Sequence, residues 1–163
     1  MCLSILIRNP KGLIEEGTLS SNFEYAITHN NSGHRCGYIK MLPGHPWHGA
    51  EHDDDIGSSA IVHGGLTFSE SDVPCDKAGA DNGWWLGFDC AHSGDAFDWD
   101  LSSKEHRQLT KFTILAGYTY NQGIVRTTEY VRDQLEYLGL QAAAAAVYCQ
   151  ENPDNSDLTP CLA

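Results

Sequence analysis

The stretch NGWWLGFDCAHSGD, residues 82–95, decides the fold. Its first half is apolar at every alternate position on both faces, whereas an edge strand mixes apolar with polar, so it reads as a strand in the middle of a sheet. Its second half places Asp89, Cys90, His92 and Asp95 at the end of that strand, four groups able to hold a metal or move a proton. Working outward, HRCGYIKML (34–42) is rich in β-formers and stops at Pro43-Gly44, which predicts a second strand and a turn. AIVHGGLTF (60–68) reads as a third strand with a glycine pair where a bulge fits, and CLSILI (2–7) as a short first one.

The region from 43 to 58, PGHPWHGAEHDDDIGS, has two prolines and no helical or alternating period, so it is expected as a surface loop. After residue 100, Ser102 or Ser103 can cap a short helix with Glu105 in its first turn. The clearest helix is TTEYVRDQLEYLGLQAAAAAV, capped by Thr127 or Thr128, with Val131, Leu135 and Leu138 on one stripe and Gly139 as a point of kinking. Strands early and helix late predict an α+β domain over residues 1–150, an antiparallel or mixed sheet with a C-terminal helix packed on one face. Residues 151–163 read as a flexible polar tail.

At 163 residues the chain can bury one core. Acidic residues outnumber basic ones 22 to 10, a formal charge of −12 that repels phosphate backbones and anionic lipid, so direct nucleic-acid and membrane partners are not expected. Six cysteines without a CxxC pair argue against a zinc ribbon, and the N-terminus lacks signal-peptide features. A cytoplasmic protein with reduced thiols is the expectation.

The segments GHRCGYIKMLPGHPWHG, VHGGLTFS and WWLGFDCAHSGD, followed by RTTEYVRDQLEYL, together resemble a family of small uncharacterised proteins of bacteriophage and prophage genomes, over residues 33–138. The resemblance implies a phage-encoded accessory protein acting in the bacterial host cytoplasm. Such proteins modify host metabolism or block anti-phage defences.

Four residues form the first candidate site. His63, Asp89, His92 and Asp95 offer imidazole and carboxylate donors from neighbouring strand ends, a set suited to a divalent metal, zinc foremost. The structural alternative is that the histidines bond backbone in glycine turns and the aspartates cap loops. His52 and Asp53, in a loop that also carries His45, His48, Asp54 and Asp55, are candidates for a general base on a lid; a solvated acidic loop is the alternative. Cys90 is a candidate nucleophile, against the commoner reading of a small buried core residue, which Cys36 also receives. No phosphate-binding glycine fingerprint is present.

Two functions follow as expectations. One is a metal-dependent hydrolase of a small or phosphorylated substrate with a His/Asp pocket. The other is a non-enzymatic acidic inhibitor, anti-CRISPR-like, occupying the nucleic-acid groove of a basic host defence nucleoprotein, with the His/Asp cluster as scaffolding. A sponge for a nucleotide signal is a third, weakened by the negative charge.

Overall fold

The computed structural model describes residues 12–72, 82–118 and 122–152. Five strands, β1 (Leu13–Thr18), β2 (Glu24–His29), β3 (Arg35–Met41), β4 (Phe68–Ser71) and β5 (Trp84–Asp89), form an antiparallel sheet in the order β1-β2-β3-β5-β4. β5 lies between β3 and β4, the interior position that its two-sided apolarity demands. Two further short strands, β6 (Asp95–Ala96) and β7 (Ile124–Val125), pair in parallel. Among the described residues the helices are α1 (Asp55–Ser59), α2 (Lys104–Leu115) and α3 (Thr128–Glu151). The class is α+β, with α3 packed across one face of the sheet.

The pleat sorts the side chains. Ile27, Ile39, Leu86 and Phe88 share the face under α3, where Val131, Leu135 and Leu138 meet them, all at most 1% exposed. Each such side chain contributes about 1.5–3 kcal/mol on burial. Gly37 sits in the middle of this face: a Cβ there would lie 2.7 Å from Phe88 Cε1 and 3.0 Å from Val131 Cγ1, so glycine lets ring and helix close on β3. The opposite face carries Ala26, Cys36, Tyr38 and Trp85 as a second cluster.

α3 begins where expected, with the Thr127 hydroxyl accepting from the Tyr130 N–H, and α2 is capped in the same way by Ser103. α3 is one continuous helix through Gly139, whose place is explained by close approach: a Cβ there would lie 2.3 Å from Ser21 Oγ. The β1–β2 hairpin was not read from the polar segment that forms it. The loop expected over 43–58 contains α1, capped by Asp54.

The strand expected over residues 60–68 is corrected: only Phe68–Ser71 is strand. Gly64 and Gly65 adopt φ of +70° and +85°, outside strand geometry. The backbone ahead of them bonds to side chains of α3, since Gln141 takes both the N–H and the C=O of Ile61 and Gln134 accepts from the N–H of His63. Cys36 and Cys90 are free and buried, but Cys149 is disulfide-bonded, contrary to the expectation of reduced thiols throughout. The strand read at 2–7 and the tail beyond residue 152 lie outside the described residues. Among the described residues no helix is long and apolar enough to cross a membrane.

Candidate metal centre

Three segments distant in sequence meet beyond the end of β5. The HGG turn supplies His63, the turn after β5 supplies His92 and Asp95, and the segment from β7 into α3 supplies Arg126 and Tyr130. Pairing of Asp95 with Ile124 in the β6–β7 ladder brings the last two together; Gly123 is needed there because a Cβ would fall 2.5 Å from the Gly94 carbonyl oxygen. Arg35 ties the same corner to the main sheet. It donates to Thr128 Oγ1, to the Arg126 carbonyl and, at 2.8 Å, to Asp98.

Asp95 is the hub, its side chain 1% exposed. Its Oδ2 accepts from His63 Nε2 at 2.7 Å and from the His92 backbone N–H at 3.0 Å, while Oδ1 accepts from Arg126 Nε at 2.7 Å. Burial alone would raise this carboxyl, but the bonds from Arg126, His63 and the His92 N–H outweigh it and hold Asp95 below the usual carboxylate range. The other nitrogen of His63, Nδ1, lies 3.0 Å from the Tyr130 hydroxyl, and Arg126 stacks over the Tyr130 ring.

His92 completes the group. Its ring lies 5.4 Å from that of His63, edge to face, and packs on Gly64, where a Cβ would fall 2.1 Å from its Cε1. Its Nδ1 is buried and has no hydrogen bond, with Asp95 Oδ2 at 3.8 Å and Asp89 Oδ1 at 4.0 Å. One donor atom each from His63, His92 and Asp95 lies within 4.8 Å of the others, a grouping able to hold a metal ion.

No family model, curated protein or solved structure matches the chain. What the site can do rests on its own atoms.

Three of the four residues read as metal ligands therefore converge, and the fourth stands beside them. Asp89 points to the sheet face opposite Phe88 and Cys90, as strand alternation requires, and bonds Thr67 Oγ1 and the Ala91 N–H. There it lines a cavity of about 260 Å³ with Asn30, Cys36, Tyr38 and Phe68. Cys90 is 1% exposed, and burial, with Asp95, Cys36 and Asp89 adding negative charge, pushes its thiol up to about 12, the state of an inert core cysteine.

The candidate lid residues are placed elsewhere. His52 bonds Ser69 on β4 through both its backbone N–H and Nδ1, and Asp53 is exposed. His45 takes the Trp47 N–H on Nδ1 and reaches the Ala142 carbonyl of α3 through Nε2, while His48 reaches the Asn82 carbonyl. With Trp47 5% exposed, this segment is packed onto the body of the molecule.

Sequence reading missed Arg126, Tyr130, Gln134 and Arg35. A signal for the first three exists: they recur every four residues, and therefore lie on one side of α3 and its entry, next to the apolar stripe.

Proposed function

We propose that His63, His92 and Asp95 bind one divalent metal, zinc by donor chemistry, and that the protein is a metal-dependent hydrolase. The observation that carries this reading is the convergence of three donor atoms around a buried, unbonded His92 Nδ1. Two imidazoles and one carboxylate leave a fourth position open, the pattern of catalytic rather than structural zinc. The surroundings fit. Arg126 occupies Oδ1 and so orients Oδ2 toward the imidazoles. If His63 ligates through Nε2, its proton moves to Nδ1, where the Tyr130 hydroxyl oxygen accepts it, supplying the outer hydrogen bond that metal-bound histidines use.

A metal here would lower the pKa of a bound water to about 7 and polarise a substrate carbonyl or phosphoryl oxygen. Asp89, 4.0 Å from His92 Nδ1 and bonded to Thr67 Oγ1 and the Ala91 N–H, would be the carboxylate nearest such a site, at the wall of the neighbouring cavity. The motif resemblance to a phage family supports a bacterial host as the setting for this activity.

Metal analysis and calorimetry test the proposal. One equivalent of zinc per chain is expected, with a stability gain of about 2.7 kcal/mol at a hundredfold excess over Kd. His92→Ala and His63→Ala should each abolish saturable binding. Zinc that fails to bind stoichiometrically sinks the metal site; a loaded protein that turns over no ester, amide or phosphoester of a p-nitrophenyl or p-nitroanilide panel sinks the hydrolase.

The charge of −12 supports a second reading, the acidic inhibitor of a basic host defence nucleoprotein. Exposed Glu51, Asp53 and Asp55 are the groups to neutralise. Pull-down of basic nucleoprotein effectors at low salt should then weaken; no capture by the unaltered protein at low salt defeats this reading.

A further inference from the structure

α3 is apolar on two sides. One stripe, Val131, Leu135, Leu138 and Ala142, is buried against the sheet. The other faces solvent and runs Asp133, Tyr137, Leu140, Ala144, Val147 and Glu151, at spacings of four and three. That repeat is the seam by which one helix receives another. Tyr137, Leu140 and Val147 are 49%, 56% and 53% exposed, and an acidic residue closes the stripe at each end.

α2 packs on Phe97 and Trp99 through His106, Arg107 and Lys111, but among the described residues its other side is left exposed. Thr110 is its one buried residue, while Leu109, Phe112 and Leu115 are 61%, 70% and 87% exposed. Large exposed apolar side chains clustered on one element mark an association surface. α2 also runs against the charge of the molecule. It holds Lys104, Arg107 and Lys111 against Glu105, a net +2 in a chain of −12, whereas α3 holds Glu129, Asp133, Glu136 and Glu151 against Arg132, a net −3.

We infer that α2 of one molecule seats on the exposed α3 stripe of a second copy, so that the protein self-associates through α2–α3 contacts. The two surfaces are complementary in both respects: apolar meets apolar, and the basic side chains of α2, which span about 10 Å of helix, meet one acidic end of the stripe, Asp133 or Glu151. Pairing of α3 with α3 lacks this match, because parallel or antiparallel alignment sets Asp133 or Glu151 against another carboxylate. The inference is independent of the metal site.

Sedimentation equilibrium of the full chain tests it. The unaltered protein should associate reversibly, and Leu140→Glu and Leu115→Glu should each raise the dissociation constant at least tenfold. An equimolar mixture of the two variants should regain association, because the intact α2 of one meets the intact α3 of the other. Recovery on mixing also shows that both variants fold. A monomer at about 100 µM, far above the Kd of an ordinary specific interface, overturns the inference. So does a mixture that associates no better than its components.

Discussion

Two adjacent glycines separate backbone geometry from the packing of His92. Gly64 and Gly65 both have positive φ, so an alanine at either is strained by about 1–3 kcal/mol. At Gly65 the added methyl meets nothing within 4 Å, whereas at Gly64 it strikes the His92 ring. Both variants should lose stability in urea unfolding, and Gly64→Ala alone should also lose at least tenfold in zinc affinity. Equal affinities would show that His92 is not held by this contact. Asp95 contributes to the acid side, together with Glu15 and Asp98, which Arg132 and Arg35 also hold low. The Asp95 carboxyl is held below the unfolded value of about 3.9, so its contribution is present above that pH and is lost as pH falls through the lower folded value. Stability measured from pH 6 to pH 2 should fall more steeply for the unaltered protein than for Asp95→Asn; parallel curves would exclude Asp95 as a contributor.

The joint between β3 and α3 is the element on which the rest is hung. Gly37→Ala pushes a methyl between Phe88 and Val131 and should cost about 1–3 kcal/mol by overpacking, read as a lower midpoint in urea with an unchanged slope. An unaltered midpoint would mean that Phe88 has another rotamer at no cost. The elements legible in the sequence were those whose pattern is local. β5 announced itself by apolarity on both faces, β3 by β-formers ending at Pro43-Gly44, and α3 by its Thr127 cap and stripe. Residues 60–67 were misread because their apolar residues look like a strand, while the groups that prevent one, Gln134 and Gln141, lie some 70 to 80 residues away. The β1–β2 hairpin escaped for the converse reason: LIEEGT is too polar to show, yet its Glu15 is stabilised by Arg132 and Tyr25. That His63, His92 and Asp95 lie close together was not readable from the strand expected over 60–68, because His63 sits in a glycine turn tied to α3 by Gln134.

At the scale of the whole molecule, the candidate centre is assembled from pieces 32 and 67 residues apart, since His63 bonds Asp95 on one ring nitrogen and Tyr130 on the other. Contacts of such separation cost loop-closure entropy and form late, after the local hairpin and helix. The site is thus a clock on folding. During refolding from urea, zinc uptake should appear with the slowest phase, behind helix formation followed by circular dichroism. Uptake that kept pace with the first helical signal would mean that the corner joining β6, β7 and α3 is the nucleus from which the chain folds.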